Sequence, residues 1–269
     1  MEKVKKIMEE QKEEVQTQVS EVVLTSEDEM HVRLMMEASV FYGYNRSRTN
    51  PKMRPYILAT RSGLEVINLL KTMEALDKAK KTIEGVVKSG GMLFFVGTAP
   101  ATKKVVQETA EKVGASYVTE RWLGGTFTNF KTISGRINHF RTLKEDQSSG
   151  RIEKYTKKER LQISKELKRL EKFFIGMEKM DKLPSMVFIA DLKENLVAAR
   201  EARRMHIPIV ALVNTDGDPK FADYPIPANT RSPKSVALVM SYIEKSIEKA
   251  QTSTLMQKKQ KEDENINDK

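Results

Sequence analysis

Gly90-Gly91-Met92-Leu93-Phe94-Phe95-Val96-Gly97 sets five consecutive apolar residues between glycines. Two later runs have the same form. Met186-Val187-Phe188-Ile189-Ala190 follows Pro184 and ends at Asp191, and Pro208-Ile209-Val210-Ala211-Leu212-Val213 ends at Asn214. A short apolar run closed by turn residues predicts a strand covered on both faces, the pattern of a parallel sheet. Helical stretches over Leu70 to Lys88, Ala101 to Val113, Glu194 to Met205 and Ser235 to Lys249 precede or follow these runs. The alternation predicts an α/β fold with a mostly parallel sheet.

One segment breaks the alternation. From Thr128 to Met180 no strand pattern is present, only two helical patterns separated by Gln147-Ser148-Ser149-Gly150. Phe130, Ile133, Ile137 and Phe140 mark the first, and Ile163, Leu167, Leu170, Phe174 and Met177 the second. Steps of three and four form the narrow seam of a coiled coil, so an inserted antiparallel helical hairpin is expected. Lys131 to Lys182 carries 15 Lys or Arg against 8 Asp or Glu, which places 15 − 8 = +7 of the chain's +10 in this insertion. The expected organisation is a charged arm over 1–25, an α/β domain over 26–127 and 183–250, the hairpin over 128–182, and a disordered tail over 251–269.

A surplus of 47 Lys and Arg over 37 Asp and Glu favours a polyanionic partner, RNA first. The absence of Cys excludes disulfides, thiolate nucleophiles and Cys-ligated zinc. No apolar run is long enough to span a bilayer, so no membrane partner is expected. The first residues lack the apolar core of a signal peptide and contain several Glu, which leaves the cytoplasm as the expected location.

Catalytic and cofactor chemistry finds little purchase. Gly97 to Ala101 follows a strand and opens a helix, where phosphates bind in α/β folds. It contains neither a G-x-G-x-x-G nor a Walker loop, and a plain strand-to-helix turn with Pro100 at the first helical position explains it. Asp216, Asp218 and Asp223 follow a strand, but their spacing is not that of a calcium loop, and a turn rich in Asp, Gly and Pro needs no ligand. His31, His139 and His206 lie in separate contexts. An α/β enzyme using a nucleotide or metal at 97–101 and 216–223 is the rival reading; a coiled-coil adaptor for a protein partner is another. No catalytic residue, metal ligand, cofactor or small-molecule substrate is expected.

Two stretches have the chemistry of RNA contacts. Ala38 to Leu64 contains no Asp or Glu, yet holds Arg46, Arg48, Lys52, Arg54 and Arg61 among Phe41, Tyr42, Tyr44 and Tyr56. Cations pair with phosphates and rings stack on bases. Gly43, Asn50, Pro51 and Pro55 shape it as a loop. Arg121-Trp122-Leu123-Gly124-Gly125-Thr126-Phe127-Thr128-Asn129-Phe130-Lys131-Thr132 contains the only Trp. Its glycines permit a tight turn, and Thr128 or Asn129 is placed to cap the next helix, so the stretch also reads as the hinge that sets the hairpin's angle. The expected RNA-binding residues are Arg46, Arg48, Asn50, Lys52, Arg54, Arg121, Trp122, Asn129 and Lys131.

The run from Arg121 to Thr132 resembles the signature of the second protein of the small ribosomal subunit in its bacterial form. Asn50-Pro-Lys-Met-Arg-Pro-Tyr-Ile, Leu93 to Thr98, Tyr155-Thr-Lys-Lys-Glu-Arg and Tyr224-Pro-Ile-Pro-Ala-Asn match that family in order. The resemblance implies a Rossmann-like, flavodoxin-related domain with a protruding coiled-coil hairpin. It implies a non-catalytic role in translation, binding small-subunit rRNA where head meets body. The implied protein partners are neighbouring small-subunit proteins, including the largest, an mRNA-binding one. Three positions depart from the family pattern. Phe41-Tyr42-Gly43-Tyr44 stands where His-x-Gly-His is usual, Thr49 where a Trp often precedes Asn-Pro-Lys-Met, and Thr230-Arg231 where two Asp commonly follow the Asn.

Overall fold

The computed structural model describes residues 26–267; the expected N-terminal arm over 1–25 lies outside the described residues. Strand β4 (Leu93–Val96), β6 (Met186–Ile189) and β7 (Ile209–Val213) coincide with the three apolar runs. With β5 (Ser116–Val118) and β8 (Tyr224–Pro227) they form a parallel sheet of order β5-β4-β6-β7-β8. Numbered from β4, that order is 2-1-3-4-5, the flavodoxin-like winding, and its direction reverses between β4 and β6. The α/β fold with a parallel sheet is therefore as expected.

Alternate side chains in each strand point to opposite faces, and both faces are buried. Phe95, Phe188, Val210 and Leu212 join one core with α2 (Leu69–Lys88), α3 (Pro100–Val113) and α7 (Pro233–Asn267). Phe94, Val96, Val187, Ile189, Ala211 and Val213 join the other with α6 (Leu196–Arg204) and the inserted helices. The first described helix, α1 (Ser26–Glu37), adds Val32 and Met35 to the first core.

The insertion between β5 and β6 consists of α4 (Phe130–Ser148) and α5 (Lys157–Phe174), with a single 3-10 turn at Arg151–Lys154 between them. Ile133, Ile137, Phe140, Leu167, Leu170, Phe174 and Met177 are buried. Thr156 and Glu159 form a reciprocal capping box that starts α5. His139 reaches Glu166, whereas Arg141 and Lys144 pair with Asp181 and Glu178 beyond the second helix. Gly176 is in close contact with β5: a Cβ there would lie 2.6 Å from Tyr117 Cδ2. The base of the insertion is thus part of the sheet's core.

Two expectations need correction. The acid-free stretch is not only a loop. It contains β1 (Tyr42–Asn45) and β2 (Ile57–Arg61), which flank β3 (Leu64–Ile67) in a second, antiparallel sheet of order β1-β3-β2. Ser62 and Gly63, both at positive φ, form the two-residue turn that joins β2 to β3. The chain beyond 250 is also not irregular, because α7 continues to Asn267. Leu255, Met256, Gln257 and the Lys and Glu residues after them are good helix formers, and adding residues to an existing helix avoids the cost of nucleation.

Candidate nucleic-acid interface

The antiparallel sheet leans on the C-terminal ends of the parallel strands. The Tyr44 amide donates to Thr215 Oγ1 at 2.8 Å, and the Asn50 amide donates to the Thr215 carbonyl at 2.8 Å. Thr215 lies in the turn after β7, fully buried. A Cβ on Gly43 would stand 2.5 Å from Thr215 Cγ2 and 2.9 Å from the Glu65 carbonyl, so only glycine fits this crossing. The basic segment is consequently held on the sheet rather than free.

Within it the cations divide into two kinds. Lys52 pairs with Asp218, and Asn50 uses its side chain to accept from the Lys52 amide at 3.0 Å, starting the turn at Pro51–Tyr56. Burial pushes the Asp218 carboxyl up, but the Lys52 ammonium and the Lys220 amide together hold it below its ordinary value. Arg46, Arg48 and Arg54 are exposed, and no ion pair among the described residues involves them. The Arg48 guanidinium lies 5.0 Å from the centre of the Tyr44 ring, and that of Arg231 lies 5.3 Å from it. Cation–π contact orders a guanidinium while its N–H groups remain open to an anion.

Arg231 was not among the residues expected at the interface. It is far away in sequence, and only the fold brings it to Tyr44. Two positions far apart in sequence thus meet in space.

The second stretch is organised by a residue that its own sequence does not contain. Glu201 of α6, 9% exposed, accepts hydrogen bonds from Trp122 Nε1, the amides of Gly125, Phe127 and Thr128, and the Thr128 hydroxyl. Burial pushes the Glu201 carboxyl up, yet those donors outweigh it and hold it below its ordinary value. The Trp122 ring meets Phe94 and Phe127 edge to face. Trp122 is therefore anchored in the protein. Neither Thr128 nor Asn129 caps α4 through its side chain: Thr128 turns to Glu201, and Asn129 Oδ1 accepts from Thr132 at 2.9 Å. Arg121, Asn129 and Lys131 are exposed on this turn.

The loops of the rival enzyme reading are occupied by internal contacts. Thr98 donates to Asn195 at 2.8 Å, and Gly97 admits Val106 so closely that a Cβ would fall 2.6 Å from it. Asp216 pairs with Lys193, and Asp223 accepts from the Ile209 amide. Burial pushes the Asp191 carboxyl up. Among the described residues no group of His, Asp and Glu is arranged to hold a metal, and no helix is long and apolar enough to cross a membrane.

The family model for ribosomal protein S2 matches residues 35–250. The small ribosomal subunit protein uS2 of Thermus thermophilus, in each of two strains, is 41% identical over 213 residues, 79% of this chain and 83% of that protein. The uS2 of Coprothermobacter proteolyticus is 39% identical over 216 residues, 80% of this chain and 81% of that protein. The chain belongs to the ribosomal protein S2 family, as a structural constituent of the small ribosomal subunit and not an enzyme.

Proposed function

We propose that this protein binds small-subunit rRNA at the head–body junction through the face built by the antiparallel sheet and the Arg121–Lys131 turn. The observation that carries the reading is the exposed set Arg46, Arg48 and Arg54, none in an ion pair among the described residues, on a segment pinned to Thr215. A cation held in place loses less freedom when it meets a phosphate. Lys52 and Asn50 shape this segment, and Trp122 fixes the turn that presents Arg121, Asn129 and Lys131. The basic insertion serves as a coiled-coil arm that docks on rRNA and on neighbouring small-subunit proteins, and the whole supports docking of the largest of them. The place of action is the cytoplasmic ribosome.

The test is a titration against small-subunit rRNA fragments over a salt series. Each phosphate contact releases condensed counterions, so affinity falls as salt rises, and losing three contacts should flatten the log–log slope by about 2. We expect Arg46→Ala/Arg48→Ala/Arg54→Ala to weaken binding and flatten the slope with an unchanged circular dichroism spectrum. A folded triple variant with the parent's slope and affinity would remove this face from the interface.

A further inference from the structure

The antiparallel sheet borders a hollow of about 430 Å³ along its edge strand β2, with Arg46, Thr49 and Arg54 among its walls and Leu58, Thr60 and Glu65 beside them. We infer that it receives a single unstacked guanine nucleotide of the bound RNA, an inference that rests on the rRNA-binding reading above.

Its size suits one nucleotide, since small-ligand sites occupy about 300–1,000 Å³. Its chemistry is divided as a nucleotide's is. Arg46 and Arg54 are exposed cations, suited to a phosphate by their paired N–H groups. Leu58, half-buried against the first core, leaves its remaining apolar surface at the wall of the hollow, where the flat of a base would lie.

Glu65 is the discriminating group. It is 4% exposed, and no ion pair among the described residues involves it. Its cross-strand partner Thr60 donates to Oε2 at 2.7 Å and fixes the carboxylate's orientation. A buried carboxylate is costly unless hydrogen bonds or a cation offset the lost water, and one hydroxyl is a small offset. Guanine is the base whose pairing edge presents two adjacent donors, N1–H and the N2 amino group, which a carboxylate accepts side by side. Adenine, cytosine and uracil each place an acceptor next to their donor on that edge and would set a lone pair against Glu65. Unpaired bases in RNA are read on this edge once they leave the stack.

The experiment uses the full chain and four single-stranded RNA pentamers, UUGUU, UUAUU, UUCUU and UUUUU, with a small-subunit rRNA fragment titrated in parallel. The expected result is about tenfold tighter binding of UUGUU, in line with the discrimination a good pair of base contacts supplies. Glu65→Gln should bring the four pentamers level and weaken binding of the rRNA fragment by no more than the same factor of about ten, with an unchanged salt slope because it changes no cation. Arg46→Ala/Arg54→Ala, at exposed positions, should weaken all four alike and preserve the preference for UUGUU; it serves as the test if Glu65→Gln fails to fold. Equal binding of the four pentamers by a parent protein that binds the rRNA fragment overturns the guanine site and leaves the rRNA reading intact. Failure of the parent to bind the rRNA fragment overturns the rRNA reading itself, and the guanine site with it.

Discussion

Glu201 shows how much of the proposed interface depends on a residue that does not belong to it. Its carboxylate gathers the indole and three backbone amides of a glycine-containing turn, of which the Phe127 amide is buried and the Trp122 and Gly125 groups are half-buried. Removing one partner from such a cluster leaves the others without acceptors, which costs more than the net value of the bonds themselves. We expect Glu201→Ala to lower stability by about 3 kcal/mol. Trp122 is the chain's only Trp, so the shift of its fluorescence reports the same event directly. The pH dependence has a definite sign. Glu201 is held below its ordinary value of 4.5 in the folded protein, so its contribution is present above that pH and is lost as pH falls through the depressed folded value. Glu201→Gln should therefore lose less stability than the parent on acidification below about pH 4.5. An unchanged melting temperature and unchanged Trp fluorescence in Glu201→Ala would show that the turn holds itself.

At the scale of elements, the insertion divides into a base that is core and a tip that is not. Every buried residue of α4 and α5 falls at or before Phe140 or at or after Leu167. Replacing 145–164 with a short glycine linker removes none of them and should leave cooperative thermal unfolding. Phe140→Ala or Phe174→Ala should cost about 3–5 kcal/mol. A shortened chain that melts without cooperativity would mean that the tip supports the fold. The two helices of this insertion were legible in sequence because their apolar steps are long and periodic. The central strands were legible because both faces are buried and polar residues are absent. The edge strands were not: β5 is three residues long, and β8 contains Pro225 and Pro227, which a strand tolerates at an edge where one side needs no donor. The β2–β3 hairpin is not legible although Ser62-Gly63 is a turn signal, because β2 runs from half-buried Ile57 to exposed Thr60 and Arg61 with no clean alternation. At the proposed interface, the basic residues were visible by type. Which of them pair internally, as Lys52 does with Asp218, depended on contacts between segments far apart in sequence, as did the roles of Glu201 and Arg231.

The whole molecule places its basic sheet where α/β proteins commonly bind small ligands, the crevice beyond the carboxyl ends of the parallel strands. Here part of that edge is covered by the protein itself. Tyr44 and Asn50 dock on Thr215, Lys52 on Asp218, and the crossing is so close that Gly43 admits no side chain. The position that would serve catalysis in another member of the architecture here carries the exposed Arg46, Arg48 and Arg54. This coupling predicts a distinctive phenotype for Gly43→Ala. The added methyl meets Thr215 at 2.5 Å and the Glu65 backbone at 2.9 Å, and a backbone atom cannot step aside as a side-chain tip can. The Glu65 contact spreads β1 from β3 within the antiparallel sheet, and the Thr215 contact pushes β1 away from the turn after β7. Overpacking of this kind costs about 1–3 kcal/mol, well short of unfolding a two-sided parallel core. The variant should keep its far-ultraviolet circular dichroism and melt at a lower temperature. It should also bind the rRNA fragment more weakly than the parent, although no charge has been removed. Its salt slope should fall as well, since displaced arginines no longer reach their phosphates together. A Gly43→Ala protein with parental affinity and parental slope would show that the cationic segment works without its mounting on the sheet.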